Sequence, residues 1–388
     1  MRIGINALAA ENKSGTGRYA TELLRHLARA DSDNEYVVVI HEDSPLCADL
    51  KRFHNVHLRR QPRRSRLGRI WWEYRRLPAL IARQRLNVFH APAFILPSRC
   101  PVPSVATIHD LVFMRYPETF GYLRRNYFHW AIPRSAYQAA RVIADSEATR
   151  RDLMDLLQVV PDRIRVVPLG VGEEFFEPAR PEAVEQARAT LGLPERYILT
   201  VGTIEPRKNL VRLIEAYDAA KQRLKRQCPA LVLVGRKGWK YDEVFSRIAA
   251  LRLGGDVIWS DFVSDESVRA VYQRATAFVC LSFHEGFGLP LLEAMASGVA
   301  VIASDRSSLP EIVGDAGILV DPMDVGAVGE ALVGLVKNND RRADLAERGR
   351  ARARQFSWEL TARATRTIYG EVGSGSGAKR ASRFSRRK

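Results

Sequence analysis

Short apolar, β-prone runs alternate with helix-forming stretches along most of the chain, and the alternation comes as two successive sets. In the first set, strands are expected over residues 2–7, 36–41, 87–90, 104–109 and 141–144, with helices over 17–30 and 123–140. The second set places strands over 197–201, 230–234, 257–259, 277–281 and 299–303, with helices over 210–223, 241–251, 264–274 and 290–297. Intervening helices replace hairpins, so consecutive strands run parallel and are covered on both faces. Two doubly wound α/β domains are expected. A chain of 388 residues also exceeds one comfortable core. The polar, proline-containing stretch 178–194 reads as the linker, giving domains over 1–180 and 181–356, a last helix over 357–372 and a basic flexible tail over 373–388. Open parallel sheets bind ligands beyond the carboxyl ends of their strands, so two facing sheets would enclose an interdomain cleft.

The most distinctive motif follows one such strand end: His284-Glu285-Gly286-Phe287-Gly288-Leu289-Pro290-Leu291-Leu292-Glu293. Pro290 suits a helix start, so the glycine-rich turn faces a helix N-terminus whose free N–H groups and dipole favour an anion such as a diphosphate. Glu293, one turn inside, can accept from two ribose hydroxyls, and Glu285 can hold a sugar hydroxyl and stabilise positive charge at an anomeric carbon. A second turn, Gly202-Thr203-Ile204-Glu205-Pro206-Arg207-Lys208-Asn209, brings two cations to the end of another strand, where they would stabilise a departing diphosphate. Ser14-Gly15-Thr16-Gly17 lies between the first strand and first helix, and Thr107-Ile108-His109-Asp110-Leu111 closes a strand of the first set. His109 there could meet a sugar hydroxyl or position an acceptor, with Asp110 orienting it or capping the next element. Ser146 suits a helix N-cap. Val234-Gly235-Arg236 and Asp261-Phe262-Val263 are expected to approach a nucleotide base. Asp31-Ser32-Asp33 has the form of a metal-binding Asp-x-Asp but sits in a helix-to-strand turn, and no other metal-ligand cluster is visible.

Cys47, Cys100, Cys228 and Cys280 form no C-x-x-C pair, which argues for a reducing compartment and against a disulfide framework or structural zinc. No apolar run reaches the roughly 18 residues of a membrane span. The net charge of +16 is concentrated: arginines interleave with Trp71, Trp72 and Tyr74 over residues 59–76, and with Tyr122, Tyr127, Phe128 and Trp130 over 122–130. Such composition fits docking on an anionic lipid surface, or simply a solvated face over core aromatics.

The two glutamates with seven residues between them resemble the paired-glutamate motif of retaining glycosyltransferases of family 4, the glycosyl transferases of group 1, which have the GT-B fold of two Rossmann-like domains facing a cleft. The turn at 202–209 is similar to that family's arginine-to-lysine signature, with Thr203 where many members have arginine, and Ser14 replaces the first glycine of the family's loop. The resemblance implies Glu285, His109, Lys208 and Arg207 as catalytic residues. It implies Gly15, Gly202, Arg207, Lys208, Glu285, Gly286, Phe287, Gly288, Leu289 and Glu293 as donor-binding, with neither metal nor cofactor. The last helix is expected to cross back onto the first domain. The activity implied is transfer of a hexose from a nucleotide diphosphate sugar to a lipid-linked or saccharide acceptor, with retained configuration, in cell-surface polysaccharide or glycolipid synthesis. The segments around His109 and Lys208 resemble a mannosyltransferase-like branch, favouring GDP-mannose. The expected location is the cytoplasm, peripheral on the inner membrane face. Two other functions fit parts of the chain. One is a GT-B-fold nucleotide-sugar epimerase; the other, suggested by charge alone, is a basic nucleic-acid-binding protein without a recognised module.

Overall fold

The computed structural model describes residues 1–12, 14–261 and 265–374. Phe262 and Val263, expected near a base, the first residue of the helix expected from 264, and the tail from 375 lie outside the described residues.

Two sheets form among the described residues, and every strand pair in them is parallel. The first contains β1 (Arg2–Asn6), β2 (Glu35–His41), β3 (Val56–Gln61), β4 (Val88–Ala91), β5 (Ser104–Ile108), β6 (Arg141–Ala144) and β7 (Ile164–Val166), in the order β3-β2-β1-β4-β5-β6-β7. The second contains β8 (Tyr197–Val201), β9 (Ala230–Val234), β10 (Val257–Ser260), β11 (Ala275–Cys280), β12 (Val301–Ser304) and β13 (Ile318–Val320), in the order β10-β9-β8-β11-β12-β13. Each order reverses beside its first strand, so each sheet has one crevice at the carboxyl ends, beside β1 and β4 or beside β8 and β11. The central strands are buried on both faces, as their unbroken apolar runs require: Val37 to Ile40 and Leu231 to Val234 are all at most 3% exposed.

The apolar pattern does not mark β3, β7 or β13. β3 is an edge strand, and its Arg59 and Arg60 interrupt any hydrophobic run while protecting the edge from pairing with another chain.

The chain divides into two compact units, the first built from Met1–Arg115, Tyr122–Gly170 and the segment from Ser357, the second from Tyr116–Gly121 and Val171–Phe356. The division falls after Gly170 rather than after residue 180, because Phe175 and Phe176 are buried in the second unit, where Phe175 meets Tyr272 edge to face. The stretch expected as linker is instead a helix, Pro181–Leu191. Pro181 at its start and Gly192 in the left-handed conformation at its end are ordinary helix boundaries, and Val184 and Ala187 bury one face.

The last helix, Trp358–Gly373, packs in the first unit against the helix Gly15–Ala30 and buries Trp358, Ala362, Ile368, Tyr369 and Val372. Its approach is close: a Cβ on Gly170 would lie 2.1 Å from the Trp358 nitrogen. Tyr369 also shares a 2.7 Å hydrogen bond with His90 Nδ1 on β4, while His90 Nε2 meets Thr107 Oγ1 on β5 at 2.9 Å. Burial, with the nearby charge of His109, pushes the His90 pKa down to about 3, so this core histidine is neutral.

Candidate active site

β11 delivers the paired-glutamate turn to the carboxyl edge of the second sheet, beside β8 and β12. The helix after it is Leu289–Ala296, and Gly288 caps it at φ +110°, a backbone setting that disfavours any residue with a Cβ. Glu285, in the turn, is 8% exposed. Its Oε1 accepts from Lys208 Nζ at 2.6 Å and from Ser282 Oγ at 2.6 Å; its Oε2 accepts from Arg207 Nη1 at 2.7 Å. The Glu285 carbonyl in turn accepts from the hydroxyls of Ser307 and Ser308, and Ser308 also donates to the Phe287 carbonyl at 2.7 Å. Burial alone would disfavour the charged carboxylate, but the adjacent Arg207 and Lys208 more than offset it and hold the Glu285 pKa far below the usual carboxylate range. Glu285 is therefore an anion at any physiological pH, able to stabilise positive charge but unable to supply a proton.

The two cations come from a short 3-10 turn, Pro206–Lys208, between β8 and the helix Leu210–Leu224. Arg207 is braced by Glu205 through its Nε and Nη2, at 3.0 and 2.7 Å, and donates to the His284 carbonyl at 2.7 Å. Asn209 ends the turn in the left-handed conformation and donates to the Pro322 carbonyl at 2.7 Å, tying the turn to the loop after β13. Gly202 has a specific duty here. At φ +153° it leaves β8, and a Cβ on it would stand 3.1 Å from Lys208 Cε, so its bareness makes room for the lysine. Gly202, Lys208, Cys280 and Ser282 line one small pocket.

Glu293 is 5% exposed and accepts from Tyr272 Oη at 3.0 Å. Gly286 and Leu289 are buried in the same turn and helix start. The Phe287 ring packs edge to face on Phe356 at 5.9 Å within the second unit.

In the first unit, the helix Gly15–Ala30 starts at Gly15. The glycine demanded by sterics is Gly17, whose Cβ would lie 2.0 Å from the Asn12 carbonyl oxygen. His109 is 6% exposed, with both ring nitrogens occupied: Nδ1 lies 2.6 Å from Asp145 Oδ2 and Nε2 lies 2.9 Å from the Pro92 carbonyl. An ionised Asp145 and the Pro92 carbonyl are both acceptors, which together favour a doubly protonated ring. Burial opposes that charge, but the carboxylate of Asp145 outweighs it and raises the His109 pKa. Burial in turn pushes the Asp145 carboxyl up, so the two groups form one coupled buried pair within the first unit. The carboxylate that orients His109 is Asp145; Asp110 instead caps the next turn by accepting from the Val112 N–H at 3.1 Å. Ser146 caps the helix Glu147–Leu157 as expected, accepting from the Thr149 N–H. Asp31 is buried among Asn34, Tyr36 and Arg366, a structural role. No group of three or more His, Cys, Asp and Glu side chains is placed to hold a metal ion among the described residues.

Comparison with known proteins settles the kinship. The profile described as Glycosyltransferase Family 4 matches residues 13–175, and that described as Glycosyl transferases group 1 matches residues 184–352. The O-antigen chain mannosyltransferase B of Escherichia coli is 32% identical over 361 residues, covering 89% of this chain and 93% of that protein. This chain belongs to the family 4, group 1 glycosyltransferases. Its GT-B fold is shared with sucrose-phosphate synthase of Thermosynechococcus elongatus, at TM-score 0.76 and 21% identity over 97% of this chain and all (100%) of the other. HepE of Anabaena, solved with UDP and glucose, superposes at TM-score 0.73 with 19% identity, covering 96% and 100% of the two chains.

Several contacts of this glycosyltransferase had no local sequence signal. Ser282, Ser307 and Ser308 look like ordinary loop serines, yet all three hold the Glu285 turn, and Ser307 does so from a left-handed backbone at φ +56°. Glu205 sits inside the recognised cation motif, and its pairing two residues on with Arg207 follows from that spacing. Tyr272 ends a helix 21 residues before Glu293, and only the fold brings the two together. The second unit thus presents an ionised carboxylate, two cations and a helix N-terminus at one sheet edge, a set suited to a ligand that carries a diphosphate at one end and develops positive charge at the other.

Proposed function

We propose that this glycosyltransferase moves mannose from GDP-mannose to a lipid-linked or saccharide acceptor during cell-surface polysaccharide synthesis, retaining the anomeric configuration and using no metal. The choice of sugar rests on one observation, the 32% identity running through 93% of an O-antigen chain mannosyltransferase.

The chemistry rests on the Glu285 cluster. In the resting site Arg207 and Lys208 neutralise Glu285. A donor diphosphate would share those cations and the N-terminus of the helix Leu289–Ala296, and negative charge growing on its outer phosphate would be stabilised without reorganising the site. The bond from the anomeric carbon to that phosphate oxygen breaks, the acceptor oxygen forms its bond on the same face, and the acceptor proton passes to the departing phosphate. Glu285, always ionised, stabilises the oxocarbenium-like centre. Glu293 holds the ribose.

A lipid-linked acceptor calls for a membrane-facing surface. In the first unit the helices Arg66–Arg75 and Tyr122–Gln138 meet where Tyr74 packs 5.7 Å from Trp130, with Arg134 over both rings. Around that contact Leu67, Trp71, Tyr122 and Leu123 are all more than half exposed, from 55% to 83%. Aromatics and arginines together suit the headgroup region of an anionic bilayer. No helix among the described residues is long and apolar enough to cross a membrane.

A thermal-shift panel of GDP-, UDP- and ADP-sugars tests the donor, since a ligand selective for the folded state raises its stability. GDP-mannose should give the largest shift, and NMR of the product should show the donor's anomeric configuration kept. A shift confined to UDP-sugars would exclude mannose from GDP; inactivation by EDTA that magnesium reverses would exclude metal-free chemistry.

A further inference from the structure

β8 and β9 lie side by side up to Val201 and Val234, and both then leave the sheet through glycines, Gly202 at φ +153° and Gly235 at φ +151°. Beyond the sheet the two loops remain laced together. The Gly202 N–H donates to the Val234 carbonyl, the Ile204 N–H to the Arg236 carbonyl and the Gly238 N–H to the Ile204 carbonyl, each at 2.9 Å. Contact is tight enough that a Cβ on Gly235 would lie 2.0 Å from the Gly202 oxygen, and one on Gly238 would lie 2.6 Å from Thr203 Cγ2. The segment 235–238 therefore sets where residues 202–204 run, and those residues lead directly into Arg207 and Lys208.

The segment 235–238 is fixed in turn by an aromatic cage. Trp259 on β10 donates its indole N–H to the Gly235 carbonyl at 2.9 Å. The Lys237 ammonium then stands 4.7 Å from the ring centres of Trp259 and Phe245 and 5.0 Å from that of Tyr241. These rings meet nearly at right angles, 88° between Phe245 and Trp259 and 79° between Tyr241 and Phe245, so they form walls rather than a stack. Phe245 belongs to the helix Asp242–Ala250, so two of the three walls stand on rigid elements. Lys237 has an exposed position and no carboxylate partner among the described residues. An exposed lysine without a carboxylate ordinarily extends into water; this one is returned to three π faces, each within cation–π range.

We propose that Lys237 is a positioning residue for the transfer reaction: its caged ammonium pins the 235–238 segment, which through Ile204 and Gly238 holds the 202–208 turn and so aims Arg207 and Lys208. The proposal rests on the reading that those two cations receive the donor diphosphate.

Lys237→Met keeps the stem and removes the charge. Turnover with the donor that the wild type uses, found from GDP-, UDP- and ADP-sugars, should fall on the order of ten-fold, mainly in kcat, because misplaced cations cost most where charge is growing. Lys237→Arg, which retains a cation for the cage, should recover most of it. Hydrogen exchange at the Ile204 and Gly238 amides should quicken in Lys237→Met while β8 and β9 stay protected. Lys237→Gln replaces the methionine variant if that one does not fold. Unchanged kinetics and exchange in Lys237→Met would overturn the proposal, as would Lys237→Arg being as impaired as Lys237→Met. If Lys208→Met turns over like the wild type, the diphosphate role of Lys208 has failed instead, and exchange at Ile204 and Gly238 still decides whether Lys237 pins the two loops.

Discussion

Lys208→Met isolates one charge in the Glu285 cluster while keeping the side chain's volume. In the resting enzyme the variant removes a 2.6 Å contact between groups whose side chains are 14% and 11% exposed. Two unit charges roughly 3.5 Å apart interact by about 4–5 kcal/mol at an effective dielectric near 20. Part of that is returned because the lysine no longer has to be desolvated, and Glu285 keeps Arg207 at 2.7 Å and Ser282 at 2.6 Å. The net loss of stability should be about 2 kcal/mol, which for a unit of this size lowers Tm by about 4–8 °C. Turnover should suffer more, by about 10²–10³-fold, since removing a group aimed at developing charge carries that magnitude. Scanning fluorimetry and initial rates at saturating donor measure both. The stability loss has its own pH signature. Cations hold the Glu285 pKa below its ordinary 4.5, so the pairing stabilises the fold above that pH and is lost progressively as pH falls below it. The Tm gap between wild type and variant should therefore narrow in acid. A kcat within threefold of wild type would refute the charge-stabilising role, whatever the Tm.

Glu293→Ala should raise the donor KM about ten-fold with kcat nearly intact, because ribose hydroxyls change little during transfer; a large kcat loss at unchanged donor affinity would contradict that. Gly202→Ala should lose about 1–3 kcal/mol of stability from backbone strain at φ +153°, and should also slow turnover by crowding Lys208, both measured beside Lys208→Met. For His109 the folded pKa is raised, so its pairing with Asp145 stabilises fully below the ordinary 6.5 and is lost as pH rises through the elevated value. Asp145→Asn should lower the His109 pKa read by NMR and flatten that alkaline decline, and an unmoved titration would refute the pairing. Replacing exposed Arg75 and Arg76 by glutamine should weaken binding to phosphatidylserine vesicles by about 30-fold at low salt, at about 1 kcal/mol per cation. Wild-type protein that ignores such vesicles would leave the surface a solvated face. Arg63 is the poorer choice for that experiment because Asp43 and Glu11 already neutralise it.

The two-sheet architecture was legible because its central strands are unbroken apolar runs separated by helices, and the paired glutamates were legible because strand, glycine turn and helix place them by local rules alone. Legibility ended where a contact depended on segments distant along the chain. His109 lies in a motif visible in the sequence, but its pairing with Asp145 joins the ends of β5 and β6 and has no local mark. The serines around Glu285 are silent for the same reason. Residues 59–61 read as part of a basic surface stretch because an edge strand has no need of apolar residues, and residues 181–191 read as a linker because proline and charge masked ordinary helix boundaries.

The return of the helix Trp358–Gly373 to the first unit has a consequence for how the protein is made. On the ribosome, the second unit is complete once Phe356 has emerged, whereas the first unit still lacks the helix that covers β4 and β5 and gives His90 its partner Tyr369. Synthesis thus finishes the later unit before the earlier one, the reverse of the usual order in which N-terminal domains fold first. Until its last helix arrives the nascent first unit leaves uncovered the surface against which Trp358, Ala362, Ile368 and Tyr369 are buried. Chains truncated before Trp358 should therefore be cleared as misfolded rather than accumulate as a working second unit with a loose partner.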